Sequence, residues 1–266
     1  MNLKNVLYGG LIACSMYSKF PVPTVAWTKE RMRYALCWFP LVGIFCGAAV
    51  WLWLRLSAFG QVHPVTAGCI GAALPVLLTG GIHMDGFLDT LDARGSYAER
   101  EKKLEILKDP HMGAFAVIGG MVYVLLYVGA MVQLYADAAA AGQWEGVKAF
   151  CLVFSLERAF SGMSVVSFPC AKDSGIARSF SDGAQKRVTR IVLLIWMAGT
   201  GAGAAAYAGV KEAAAAGSTV GLVFIYYGRM AKREFGGITG DLAGWFLQVA
   251  ELMALLVLTV WEKWSL

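Results

Sequence analysis

Apolar residues along this chain gather into long runs at 34–56, 65–82, 114–135, 148–168, 189–210, 218–230 and 242–261, separated by short polar connections. Most approach the roughly 20 residues that an α-helix needs to cross a hydrocarbon core of about 30 Å. Inside lipid a single segment must satisfy its own backbone hydrogen bonds, so each run predicts a helix. The second and sixth runs are short, and are expected to be broken or to border a water-filled cavity. Before the first run, Lys4 precedes an apolar stretch at 6–16 that leads into Lys19-Phe20-Pro21-Val22-Pro23 without a small-x-small cleavage site. A retained interfacial or re-entrant helix is expected there rather than a signal peptide. The pattern predicts an all-α, polytopic integral membrane helical bundle of about seven spans plus that N-terminal helix, with residues 1–266 forming one membrane-embedded domain.

Composition agrees: 58% of residues are hydrophobic and 15% charged, against about 25% charged in a soluble domain. The six cysteines sit mostly within apolar runs and form no Cys-x-x-Cys pair, which reads as apolar filling rather than metal or disulfide chemistry. A net charge of +5 without basic patches interleaved with aromatics gives no nucleic-acid footprint. Where the charges fall says more. With the segment before the first span on side one, that side's connections hold 18 of the 23 Lys and Arg residues; side two holds Arg55, Lys148, Lys211 and Lys263, and Arg158 lies inside a span. The positive-inside rule makes side one cytoplasmic. The histidine-, carboxylate- and Gly-Gly-bearing connections fall on that side too, which favours an enzyme over a transporter with midplane binding groups.

The densest chemistry lies in Gly80-Gly81-Ile82-His83-Met84-Asp85-Gly86-Phe87-Leu88-Asp89-Thr90-Leu91-Asp92. Spacings of four and three put Asp85, Asp89 and Asp92 within about 60° of one another on a helix. Such a stripe repels itself unless cations neutralise it, and all-oxygen donors suit Mg²⁺ better than zinc. The bland alternative is a solvated acidic helix start favoured by the helix dipole. His83 is a candidate proton carrier or substrate hydrogen-bond donor. Further on, a charged surface-helix pattern at 99–107 ends in Lys108-Asp109-Pro110-His111, where a cation and a carboxylate meet a helix-stopping proline before the next span, a place suited to gripping a phosphate.

Glu157-Arg158 inside a span is costly unless paired, so the pair either neutralises itself and a neighbouring helix or touches substrate. Lys172-Asp173-Ser174-Gly175 and Arg178 suit a nucleotide or phosphate, and equally an anionic lipid surface. Gly236-Gly237-Ile238-Thr239-Gly240-Asp241 opens the last span. Its glycine turn can present N–H groups to an anion, and Asp241 can complete a metal site with Asp85 and Asp89.

Together with Phe20-Pro21-Val22-Pro23, Trp38-Phe39-Pro40-Leu41-Val42-Gly43 and Glu105-Ile106-Leu107-Lys108-Asp109 followed by Gly113, these segments resemble the cobalamin synthase (adenosylcobinamide-GDP ribazoletransferase) family along nearly the whole chain. The chain departs from the family at Ala93-Arg94-Gly95-Ser96, where a short Gly-rich stretch is usual, and at Pro110-His111, where a small residue and then a basic one are common. The resemblance implies a Mg²⁺-dependent transferase of the bacterial inner membrane with its active site facing the cytoplasm, joining adenosylcobinamide-GDP to α-ribazole or its 5′-phosphate and releasing GMP. On that footing Asp85, Asp89 and Asp241 are metal ligands. Asp92 or His83 is the proton acceptor, with Asp92 preferred. Arg94, Lys108, Arg158, Arg178, Gly236, Gly237 and Thr239 are substrate contacts. The lipid bilayer is a partner, and the candidate protein partners are a second copy of the chain and other enzymes of the cobalamin pathway. Two rivals remain: a CDP-alcohol-type head-group transferase, whose motif Asp89-Thr90-Leu91-Asp92-Ala93-Arg94 echoes only in the wrong order, and a transporter, for which no inverted repeat is evident.

Overall fold

A computed structural model describes residues 3–265. Among the described residues every regular element is helical: α1 (Leu3–Tyr17), α2 (Lys29–Met32), α3 (Ala35–Phe59), α4 (Pro64–Thr79), α5 (Ile82–Gly95), α6 (Arg100–Ile106), α7 (Ala114–Ala141), α8 (Glu145–Ser167), α9 (Ile176–Gly183), α10 (Lys186–Tyr207), α11 (Val210–Met230), a π-helical turn at Ala231–Phe235, and α12 (Gly240–Ser265). All seven predicted runs fold as helices. Five of them, α3, α7, α8, α10 and α12, are long and apolar enough to cross a membrane on their own, and the bent pair α4–α5 makes six if it is counted as one span. The 21-residue α11 is long enough but less apolar, carrying Lys211 and Glu212 in its first turn. Leu125 and Met121 on α7 and Leu194 and Ile195 on α10 are exposed, an outer surface that suits lipid tails. The chain is thus a multi-pass membrane protein, and α1 packs along α3 as a 15-residue helix too short to span.

Without a hydrophobic force between helices in lipid, close packing has to hold the bundle, and small residues allow it. Gly43 and Gly47, one turn apart on α3, lie directly against the α8 backbone at Phe154 and Cys151. Gly68 of α4 does the same against Val132 of α7. α8 is the central strut: it touches α3, α10, α11 and α12, and its span is 78% buried.

The charges inside that strut are enclosed. Arg158 is fully buried and pairs with Glu157 at 2.6 Å and Glu251 of α12 at 3.8 Å, while its Nη1 also donates to the Phe154 carbonyl at 2.9 Å. Of the two readings left open by the sequence, self-neutralisation with a neighbouring helix is the one realised, and the guanidinium holds α8 to α12. Removing one partner of a buried pair strands the other charge. Arg158→Leu should therefore cost about 3–5 kcal/mol, seen as a large drop in the melting temperature of detergent-purified protein, whereas Glu251→Gln, which leaves Arg158 with Glu157, should cost far less.

The two ends of the bundle differ. At one end Arg55 sits over the Trp144 ring, Trp144 packs edge-on against Trp51, and the α7–α8 connection is a tight turn through Gly142 at φ 70°. At the other end the long connections meet. Ile238 N–H donates to the Pro169 carbonyl at 2.8 Å and Ala171 N–H to the Ile238 carbonyl at 2.9 Å, forming an isolated parallel bridge, and Tyr34 donates to Gln185 at 3.0 Å.

Candidate functional site

Gly80 and Gly81 adopt left-handed φ values of 65° and 78°, a conformation glycine reaches without the Cβ penalty. They turn the chain by 95° between α4 and α5. α5 therefore lies across the connection-rich end of the bundle instead of along it, and packs on α7 and α12. Gly86 is the closest point: a Cβ there would come within 2.7 Å of the Asp241 Cα and 2.8 Å of its carbonyl oxygen. One turn along α12, Gly244 receives His83 just as tightly, at 2.8 Å from the His83 carbonyl to a virtual Cβ. These glycines bring two acidic segments together although about 150 residues separate them in sequence.

Asp85 and Asp241 line one cavity. Burial, and then the carboxylates of Asp85, Asp241 and Asp92, push Asp89 up to about 6 from 3.8. The folded chain consequently holds that proton more tightly than the unfolded chain does. Stability of metal-free protein should fall as the pH rises from about 4 through about 6. Thermal melting as a function of pH checks this, and Asp89→Asn should flatten the slope. Asp92 also faces α7: its carboxylate lies beside Gly113, where a Cβ would meet it, and the positive end of that helix favours an anion.

Among the described residues no three His, Cys, Asp or Glu side chains come together closely enough to hold a metal ion by themselves. Mg²⁺ does not need such a set, since it keeps several waters and is commonly held by one or two carboxylates plus substrate phosphate oxygens. Asp85 and Asp241, oxygen donors lining one recess, with Asp89 near enough to feel their charges, fit that mode of binding.

The second segment is built for position. Gly236 has φ 77° and lies against the Arg100 guanidinium, and a Cβ on Gly237 would come 2.5 Å from the Pro169 carbonyl. Thr239 caps α12, its Oγ1 accepting from Leu242 N–H at 3.2 Å and lying 3.3 Å from Asp241 Oδ2. Arg94 makes two bonds to Glu234, at 3.1 and 3.0 Å, and donates to Tyr226 at 2.9 Å; Lys103 reaches the same Glu234 at 3.2 Å. Arg94, expected from the sequence as a substrate contact, thus clamps α5 to the π-turn, a pairing not legible beforehand because Glu234 is 140 residues away.

Lys108 is exposed at the edge of this end. Arg178 turns outward, bonding Asp182 at 2.7 Å on an exposed face, while Ala177 and Phe180 of the same helix line the cavity beside Asp85. Lys172 is the cation nearer the carboxylates. It is half-buried, and burial draws its ammonium down while Asp241 holds it up and Lys108 adds to the lowering. His83 is 6% exposed, and burial followed by the field of Arg158 holds its imidazole well below its usual value, hence neutral. A larger apolar cavity of about 700 Å³, bordered by Met84 and Leu88 and by the outward faces of α4 and α7, also lies against α5.

Comparison with known proteins identifies the family. Residues 9–259 match the family model described as cobalamin-5-phosphate synthase. An adenosylcobinamide-GDP ribazoletransferase of Lachnoclostridium phytofermentans is 39% identical over 94% of this chain and 93% of its own. Proteins of the same name from Desulfitobacterium hafniense and Ectopseudomonas mendocina are each 32% identical, over 92% and 94% of this chain and 94% and 97% of their own. No solved structure matches. With both acidic segments inside the matched region and the alignment running nearly end to end, the chain belongs to the cobalamin-5-phosphate synthase family.

Proposed function

We propose that the chain is an adenosylcobinamide-GDP ribazoletransferase, moving adenosylcobinamide phosphate from adenosylcobinamide-GDP to α-ribazole or its 5′-phosphate with release of GMP. The observation that carries this reading, given the family, is the contact of Gly86 with Asp241, which gathers carboxylates from α5 and α12 at one end of a membrane bundle. The charge asymmetry of the connections supports a cytoplasmic position for that end, and the reading is of a protein in the inner membrane of a bacterium.

In the reaction a ribose hydroxyl forms a bond to the cobinamide-linked phosphorus, the bond from that phosphorus to the bridging oxygen breaks, and GMP leaves with the electron pair. Such transfers depend on in-line positioning and on neutralising charge at the leaving group. Asp85, Asp89 and Asp241 would hold Mg²⁺, which when bound supplies that neutralisation. Lys172, which lies within the field of Asp241, and Lys108 on the connection before α7 would contact phosphate oxygens. Asp92 takes the hydroxyl proton. The clamp of Arg94 and Lys103 on Glu234 fixes α5 against the π-turn and so sets the distance between the two acidic segments.

Purified protein in nanodiscs, given adenosylcobinamide-GDP, α-ribazole 5′-phosphate and Mg²⁺, should yield GMP and the joined corrinoid in equal amounts. Folded protein that yields neither would end this reading. For the base, Asp92→Asn should reduce turnover while leaving the Mg²⁺ concentration for half-maximal rate in place; if both move together, Asp92 belongs with the metal ligands.

A further inference from the structure

Where α8 and α11 reach the connection-rich end of the bundle, a groove of about 320 Å³ opens between them and the π-turn. Phe168, Pro169, Phe224, Ile225 and Ile238 give it apolar walls, and Phe168 stacks on Phe224 at 5.3 Å between ring centroids. Ile225 is itself 48% exposed, and Leu222, one turn earlier on α11, is 68% exposed, so the groove continues a face that suits lipid tails. Arg229 and Lys232 are the only charged residues in the lining, and both are exposed. Neither side chain has an ion-pair or hydrogen-bond partner among the described residues. Glu234, the only acidic residue between 213 and 240, is already taken by Arg94 and Lys103.

We propose that this groove binds one anionic phospholipid from the leaflet on that side, its phosphate held by Arg229 and Lys232 and an acyl chain laid over Phe168, Phe224 and Ile225. Basic pockets between membrane helices on the cytoplasmic side recognise acidic headgroups in this way, and the cation excess of the connections supports that side for this end. A general cytoplasmic bias accounts for basic residues scattered along a connection. It does not account for two unpaired cations bordering an apolar groove. The other anion such cations could meet is a phosphate of the nucleotide substrate, and the walls disfavour it. The amides of Gly236, Gly237 and Ile238 donate to the carbonyls of Lys232, Ala231 and Pro169 at 3.2, 3.0 and 2.8 Å, so they are not available to a phosphate. Ribose hydroxyls and a base edge set among Phe168, Phe224 and Ile225 would lose water without finding partners, a cost that a hydrocarbon chain does not bear. Asp85, Asp89, Asp241 and Lys172 take no part in the lining, which separates this groove from the recess between α5 and α12.

The experiment is native mass spectrometry of the full-length protein in detergent, titrated with phosphatidylglycerol and, separately, with zwitterionic phosphatidylcholine. Wild-type protein should bind a first phosphatidylglycerol about tenfold or more tighter than phosphatidylcholine. Arg229→Gln/Lys232→Gln should weaken that first binding by on the order of thirtyfold, two headgroup contacts being lost. Lys186→Gln/Arg187→Gln removes the same charge from exposed positions at the start of α10 and should leave it unaltered. Equal losses in the two double variants would show that the lipid follows net charge, and would overturn the site, as would wild-type protein that does not distinguish the two lipids. Soluble glycerol 3-phosphate offers the phosphate without the chain and should compete poorly; full competition would remove the apolar half of the proposal. In lipid-free detergent, adenosylcobinamide-GDP should bind Arg229→Gln/Lys232→Gln as it binds the wild type. A loss there, at unchanged melting temperature, would assign both cations to the substrate and overturn the lipid site.

Discussion

Asp85→Asn is expected to slow GMP release by on the order of a thousandfold at saturating Mg²⁺, the size of loss seen when a group that stabilises developing charge is removed. The substitution keeps the shape of the side chain and removes one of the negative charges that raise the proton affinity of Asp89. Metal-free protein should therefore become more stable, because like-charge repulsion is relieved, while Mg²⁺ loses a ligand. A variant that melts higher and works far worse separates a functional carboxylate from a structural one. Asp241→Asn should behave in the same way from the other helix. If Asp85→Asn retains near-normal turnover and Mg²⁺ dependence, the metal assignment falls.

Gly86→Ala is expected to cost about a hundredfold in turnover without adding or removing a single polar group. Its Cβ would meet the backbone of Asp241 at 2.7 to 3.2 Å, and backbone cannot swing aside as a side-chain tip can. α5 and α12 must separate, moving Asp85 and Asp89 away from Asp241, and a displacement of about 1 Å in a reacting assembly is enough for a loss of that order. Over-packing should also lower stability by about 1–3 kcal/mol. Gly129→Ala on α7 is the control: its Cβ meets nothing within 4 Å, so turnover should hold. Thermal melting together with GMP release distinguishes the two effects, and a Gly86→Ala enzyme with full turnover would show that the two acidic segments work independently.

Much of this arrangement could be read from the chain before folding was considered. Apolar runs give spans because helix length in lipid is fixed by bilayer thickness, and most observed helices begin and end within several residues of the runs; the sixth, expected to be short or broken at 218–230, is instead an unbroken helix from Val210 to Met230. The acidic segment at 80–92 was legible because its spacing follows one helical stripe, and Asp241 because a glycine turn precedes it. Three things were not legible, each for the same physical reason. The pairing of Arg94 with Glu234, the enclosure of Arg158 by Glu251, and the stacking of Phe168 on Phe224 are contacts between residues far apart in sequence, and helical periodicity carries no information about which helix faces which. The crossing of α5 was hidden in two glycines: Gly80-Gly81 announced a turn, but only the 95° bend shows that it lays the aspartates across the end of the bundle. Lys172 gave a weak signal, a lone cation in a loop, which became specific once the bridge between Ala171 and Ile238 set it beside Asp241.

The turn through Gly142 lies at the end of the bundle away from the carboxylates, and residues 139–143 are all exposed there while Trp144 locks the next helix in place. A left-handed glycine in a short solvent-facing loop is a natural point for grafting a rigid reporter, because an inserted domain lengthens a connection that supports no contact of the site. A fiducial protein fused there would enlarge a 28.6 kDa particle enough for electron-microscopic alignment, and would report from the far face of the membrane while substrates come and go on the other.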